Sequence, residues 1–209
     1  MTTTTLTGNP HLVDSGFDSP PNNPMHLLQN WLNMSDRLKV VESRGLVLST
    51  VDGRGTPSSR VVLLKSVDDT GVIFSSSAGS QKGKDLEKNP LAAGTLWWRE
   101  TMQQINFQGC VTQLPDIISD EIFDQRTREA QAVAALSAQS TPLTCEKILR
   151  EKVTQLAHDY GPIRRPDNWH AYHIALNPIE FWHGSADRFH NRLRYDLKNG
   201  AWQSQRLQP

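Results

Sequence analysis

The spacing of apolar positions changes several times along the chain, and each change marks an element. In NPMHLLQNWLNMSDRL, residues 23–38, Leu27, Leu28, Trp31, Leu32 and Leu38 recur at helical intervals. Asn23 is placed to cap and Pro24 suits the first helical position, so an amphipathic helix is predicted here. GLVLSTVDGRGTPSSRVVLLKSVDDTGVIFSSS, residues 45–77, is instead three β-rich runs separated by glycine-containing turns, which predicts an antiparallel meander. QKGKDLEKN predicts a short helix, and LAAGTLWWRE and QQINFQGCVTQL predict strands bent at RETM.

Helical spacing returns in SDEIFDQRTREAQAVAALSAQ and in TPLTCEKILREKVTQLAHDY, the second opened by Thr141 and Pro142 at the cap and first position. WHAYHIAL, IEFWHG, RLRYDL and AWQSQRL are strands again, the last two joined by Asn199-Gly200, a type I′ hairpin signal. Strands outnumber helices and do not alternate regularly with them. The pattern therefore predicts a mostly β protein with flanking helices (α+β), an antiparallel barrel, closed or split, with helices outside.

Residues 1–24 are rich in Thr, Pro, Asn, Asp and Ser and poor in apolar residues, so a flexible or loosely draped N-terminal segment is expected before a single domain over residues 25–209. The formal net charge of zero provides no field for a polyphosphate backbone or an anionic bilayer, and no apolar run is long enough to span a membrane. Nucleic acid and membrane are accordingly not expected as partners. Cys110 and Cys145 form no C-x-x-C, and the N-terminus has no basic region followed by an apolar stretch, so a reducing cytoplasm is expected.

Candidate chemistry is concentrated at two places. The stretch FSSSAGSQKGKD, residues 74–85, ends an apolar strand in hydroxyls and opens a cationic helix, so free N–H groups, Ser75, Ser76, Ser77 and Ser80, and the ammonium groups of Lys82 and Lys84 converge as an anion would need. A solvated helix entrance is the competing reading. EFWHGSADRFHNRLR, residues 180–194, packs Trp182, His183, Arg188, His190, Arg192 and Arg194 together, which suits a flat, anionic, aromatic ligand as well as a basic hairpin. Gln103-Gln104 and Gln139-Ser140 are placed to supply amide hydrogen bonds to a heteroaromatic edge. His170 and His173 lie three apart on a strand and so face opposite ways, which does not suit one metal ion.

The ordered set RVVLLK, FSSS…SQKG, QQINFQG, AQS, EFWHG…RFHNR and a closing R-L-x-P resembles the pyridoxamine 5′-phosphate oxidase family of FMN-binding split barrels, from about residue 24 onward. The resemblance implies a homodimer with FMN at the subunit interface. It places Arg60, Val61, Leu64 and Lys65 along the flavin, Ser75, Ser76, Gln81 and Lys82 at its phosphate, and Gln104, Gln139, Ser140, Trp182 and Arg192 at the remaining contacts. Gln81 stands where the family usually has arginine, one charge fewer in the clamp.

At the substrate phosphate of the vitamin B6 oxidases the family has a tyrosine, an arginine and a serine; the matching positions here are Ile122, Arg126 and Ala130. Loss of two hydroxyl donors leaves phosphate oxygens poorly satisfied, at a cost on the order of 1 kcal/mol or more per contact. SAGSQKG, LWWRETMQQI and RLRYD…W…RLQP resemble more closely the flavin oxidases of phenazine biosynthesis in the same superfamily. That resemblance implies oxidation of a partly reduced phenazine carboxylic acid with O2 as acceptor and H2O2 as product. Lys65, Arg126, Arg188 and His190 would then lie on the substrate side, with Arg188 and His190 at the reacting ring and His190 as a proton acceptor. A vitamin B6 phosphate oxidase and a non-catalytic flavin- or haem-binding split barrel are the alternatives.

Overall fold

A computed structural model describes residues 6–209. After a 3₁₀ turn at Pro10–Leu12, the chain forms α1 (Pro24–Arg37), β1 (Gly45–Val51), β2 (Pro57–Leu63), β3 (Ser66–Val67), β4 (Gly71–Ser77) and α2 (Gln81–Lys88). There follow β5 (Leu91–Trp98), β6 (Gln103–Gln113), α3 (Asp116–Asp124), α4 (Arg128–Leu136), α5 (Glu146–His158), β7 (Trp169–His183), β8 (Asn191–Lys198) and β9 (Ala201–Leu207). All strand pairings are antiparallel, in the order β2-β1-β5-β6-β7-β4-β3, with β8 and β9 continuing from one end of β7. The hydrogen-bonded path does not close: the sheet is a split barrel with helices outside, as the sequence pattern predicts.

Local chemistry explains most boundaries. The Asn23 side chain accepts from Met25 N and Pro24 follows it, so α1 begins where the sequence places it. Asn199 and Gly200 both take positive φ, 52° and 79°, the backbone that a type I′ turn between β8 and β9 requires.

Four expectations need correction. The meander holds for β1 and β2, but β2 does not pair with β4. The run RVVLLKSV leaves β2 after Leu63, Lys65 N donates to Ile73 O, and only the two-residue β3 pairs with β4, whose other neighbour is β7. The long helix expected before residue 139 is two, because Thr127 leaves helical conformation and its side chain caps α4 at Ala130 N. The helix expected from Thr141 starts at Glu146, since Ser140 takes φ 72° and residues 141–145 continue irregularly. WHAYHIAL and IEFWHG are one strand, β7, with a register shift opposite Phe107 and Gly109.

The main core fills the barrel with the inward residues of β1, β4, β5, β6 and β7 against Leu27, Leu28, Trp31 and Leu32 of α1. A second, smaller cluster joins Ile122, Phe123, Ala132, Ile163, Trp169 and Ala171 beneath the helices. The segment ahead of α1 is tied down more firmly than its composition suggests. Phe17 is buried and stacks on Trp31 at 5.8 Å between centroids, Trp31 Nε1 donates to Ser15 O, and Tyr195 Oη donates to Pro21 O. The part of that expectation concerning residues 1–5 lies outside the described residues. Among the described residues no helix is long and apolar enough to cross a membrane.

Candidate active site

The hydroxyl-rich end of β4 and the start of α2 build a cationic cradle. Ser80 caps α2, its hydroxyl accepting from Gly83 N at 3.3 Å, and Gly83 allows α2 to sit on residue 78, where a Cβ would lie 2.4 Å from Ala78 O. The same cap turns Lys82 inward, so that Nζ donates to Ser76 Oγ at 3.0 Å and to Ser80 Oγ at 3.2 Å. Lys82 is buried at 6% exposure and has no carboxylate partner among the described residues. Burial, and then the Arg60 charge nearby, push its pKa down from the usual lysine value. A buried ammonium between two rotatable hydroxyls, held without a counter-ion, fits a phosphate monoester.

Arg60 reaches the same region from β2. Its guanidinium donates to Thr50 Oγ1 at 2.8 Å and Ser58 Oγ at 2.6 Å, and stands 3.9 Å from Asp85 Oδ2. Asp85, buried on α2, accepts from Thr50 Oγ1 at 2.7 Å, Ser58 Oγ at 3.1 Å and Gln81 Nε2 at 2.8 Å. Sequence reasoning missed this carboxylate, although its place four residues after Gln81 on α2 was a signal. Gln81, where the resemblance leads one to expect a cation, instead fastens α2 through Asp85, and its backbone N–H donates to Ser140 Oγ at 3.1 Å.

Burial raises the Asp85 pKa, but the three hydrogen bonds and Arg60 outweigh it, and the net shift is downward. A carboxyl with a depressed folded pKa stabilises the fold above its unfolded pKa and loses that contribution as pH falls through the folded value. Asp85→Ala is therefore expected to cost about 3 kcal/mol at pH 7, the lower end for breaking a buried pair because Arg60 retains some solvent contact. The difference from the unmodified chain should shrink below about pH 4, and urea unfolding at several pH values measures it.

Lys65 and Arg126 form a second cationic group. Each is partly buried with a pKa lowered first by desolvation, and the Arg126 charge lowers that of Lys65 further. Arg126 donates through Nη2 to Ala130 O at 3.1 Å, lies 5.3 Å from the Trp169 ring centroid, and keeps a buried Nε without a partner among the described residues. Ile122 is buried beside it in the Trp169 cluster. Two uncompensated cations against apolar walls suit a compact anion such as a carboxylate. Trp169 was not foreseen as the platform for Arg126.

The remaining residues lie elsewhere. Gln104 of β6 pairs with Trp97 and Trp182 on its two sides, and Trp182 lies 4.7 Å from His190 between ring centroids. Arg188, with φ 67°, and His190 line an open cavity of about 520 Å³ together with Leu6, Gly8, Pro10 and Met102. His190 Nδ1 accepts from Ser185 N at 3.1 Å, so the neutral ring carries its proton on Nε2 and presents a donor to the cavity. The expected proton acceptor is thus arranged to donate. Arg192 is partly committed, with Nε on Glu180 Oε1 at 2.8 Å and Nη1 on Gln208 O at 3.1 Å. Leu64 is in the core, leaving only its backbone for a ligand, whereas Val61 is exposed on the outer face of β2 and Gln139 is exposed between α4 and α5. His173 Nε2 meets Asp68, and His170 lies opposite Ser76 on the other face of β7.

The predicted residues therefore fall into two half-sites. Arg60, Lys65, Ser75, Ser76, Gln81, Lys82, Arg126 and Ser140 are at one end; Gln104, Trp182, Arg188, His190 and Arg192 are at the other. From Arg60 on β2 to Trp182 on β7 is four strand spacings, about 19 Å around the sheet. Along β7, Ala171 opposite Ser75 is about 35 Å of strand from Trp182. No hydrogen bond or ion pair among the described residues joins the two groups.

The fold and the site together define an antiparallel split barrel carrying a phosphate-type cradle at one end and an aromatic, cationic hairpin at the other. Residues 36–158 match the family described as pyridoxamine 5′-phosphate oxidase, and residues 169–209 match the pyridoxine 5′-phosphate oxidase C-terminal dimerisation region. The chain belongs to the pyridoxamine 5′-phosphate oxidase family. It is 40% identical over 204 residues, 98% of this chain and 92% of the relative, to dihydrophenazinedicarboxylate synthase of Pseudomonas chlororaphis. It is 37% identical, over 90% of each chain, to pyridoxine/pyridoxamine 5′-phosphate oxidase of Neisseria gonorrhoeae. Among solved structures, PhzG from Burkholderia lata 383 in complex with tetrahydrophenazine-1-carboxylic acid superposes with a TM-score of 0.91 at 36% identity, covering 94% of this chain and 98% of that one.

Proposed function

We propose that the protein is an FMN-dependent oxidase of phenazine biosynthesis, working as a homodimer in the cytoplasm. The observation that carries this reading is the pair of neighbouring cations Lys65 and Arg126, the second set over Trp169 in the cluster that holds Ile122, where two charges without a carboxylate partner among the described residues suit a substrate carboxylate. The similarity to dihydrophenazinedicarboxylate synthase and to PhzG supports it. In the overall reaction a partly reduced phenazine carboxylate loses two electrons and two protons to O2, which leaves as H2O2. FMN, when bound, supplies the two-electron acceptor for this exchange.

The chain's own residues position and hold. Lys82, Ser75, Ser76 and Arg60 would bind the FMN phosphate, with Val61, the Leu64 backbone, Gln81, Gln104, Gln139, Ser140, Trp182 and Arg192 around the rest of it. Lys65, Arg126 and Arg188 would neutralise substrate carboxylates. The His190 Nε2 donor would orient one of them, a task its Ser185 bond suits better than accepting a proton. Free, exposed Cys110 and Cys145 accord with a reducing compartment.

The separation of the half-sites supports a composite site, one protomer supplying Lys82 and its partner Arg188. Val47, Val61 and Leu63, apolar and exposed on the outer faces of β1 and β2, favour coverage by a second subunit, as does the match to a dimerisation region. Unfolding and refolding an equal mixture of Lys82→Ala and Arg188→Ala chains should then restore about a quarter of normal activity, since half the dimers are mixed and each of those has one intact site. No recovery above the parental variants would place both residues in one subunit's site.

Substrate choice separates this reading from the vitamin B6 oxidases. Pyridoxamine 5′-phosphate, lacking hydroxyl donors at Ile122 and Ala130, should be oxidised with kcat/KM at least about 100-fold below that of a tetrahydrophenazine carboxylate, the loss of two contacts to a charged group. Steady-state H2O2 production measures both.

A further inference from the structure

Four polar atoms at one end of the barrel are buried without a partner among the described residues: Thr101 Oγ1, Gln103 Nε2, Gln103 Oε1 and His183 Nε2. They belong to one place. Gln103 and His183 are directly opposite each other in the β6–β7 register and are only 1% and 7% exposed. Side chains so paired have Cβ atoms about 5 Å apart. Thr101, fully buried, precedes Gln103 by two residues. Trp31 closes the apolar side, edge-on to His183 at 6.4 Å, and Trp98 pairs with Gln103 across β5–β6.

A primary amide buried with neither end bonded is rare in native proteins, and such groups are ordinarily satisfied by ordered water. Here two amide hydrogens, an amide oxygen, a hydroxyl and a ring nitrogen are buried on neighbouring residues of the β6–β7 register and the turn before it, the several polar partners an internal water uses. The location gives the site a setting. Gln103 and His183 alternate along their strands with Gln104 and Trp182 on the opposite face, and Met102 and Ser185, which flank them, line the Arg188–His190 cavity.

We propose that Thr101, Gln103 and His183 form an internal water-binding site that bridges β6, β7 and the turn before β6. This holds whatever ligand the cavity takes. A high-resolution crystal structure of the unaltered protein should show water within hydrogen-bonding distance of the Gln103 amide and of Thr101 Oγ1 or His183 Nε2; a dry cluster would overturn the proposal. Gln103→Met gives a second test in which the two possibilities differ in sign. If the amide bonds water, the variant strands Thr101, His183 and the water, and Tm falls by about 3–6 °C. If the amide is simply unpaired, an apolar side chain of similar shape leaves Tm unchanged or raises it, and the site does not exist as described.

Discussion

Lys82→Ala is expected to weaken FMN binding by about 100-fold while the ligand-free fold becomes no less stable. The first effect follows from the loss of a charge-assisted contact worth about 1.5–3 kcal/mol to a phosphate. The second follows from its surroundings. Lys82 is buried against Ser76 and Ser80, and the Arg60 charge adds to the cost of that burial, so in the ligand-free protein it is a cation whose charged form the fold disfavours. Its pKa is therefore lower folded than unfolded, and the unfolded chain binds more protons between the two values. Ligand-free stability of the unaltered protein should rise with pH towards about 10, and the variant should lack that rise. Ser76 and Ser80, 3.3 Å apart, can satisfy each other when the ammonium is gone. Flavin titration by fluorescence and thermal unfolding of the ligand-free forms separate the two effects. Unchanged FMN affinity would remove Lys82 from the phosphate site.

Arg188→Ala should have the opposite profile. Flavin reduction by a reduced phenazine carboxylate is expected to slow about 100-fold, equivalent to about 2.7 kcal/mol of barrier, while FMN affinity changes less than about threefold. Arg188 has no ion-pair partner among the described residues and lines the cavity beside His190, with the positive φ that carries it out of the β7–β8 connection. Its guanidinium is thus free for a substrate carboxylate. Rapid mixing under anaerobic conditions gives the rate, and fluorescence gives the affinity. A larger effect on FMN binding than on reduction would reassign Arg188 to the cofactor.

The barrel was legible in the sequence because its strands are bounded by strong local signals, and Asn23-Pro24 and Asn199-Gly200 act where they stand. The break between α3 and α4 was harder to see, because Thr127 reads as an ordinary helical residue until its side chain caps. The path after Leu63 depends on which strand accepts Lys65 N, a long-range choice that no local pattern encodes. At the site, the serines and Lys82 were visible as chemistry at a strand-helix junction. Asp85 and Trp169 were not, because their roles arise from packing against Arg60 and Arg126, residues far away in sequence. The tautomer of His190 likewise depends on the Ser185 backbone, which only the folded loop brings to it.

The most direct test is anaerobic stopped-flow mixing of the FMN-loaded protein with tetrahydrophenazine-1-carboxylate and, separately, with pyridoxamine 5′-phosphate, following flavin bleaching. Rapid bleaching by the phenazine with slow or absent bleaching by the B6 vitamer is the predicted result. Bleaching by pyridoxamine 5′-phosphate alone would return the protein to vitamin B6 oxidation, and no bleaching by either would mark it as a binding protein without turnover.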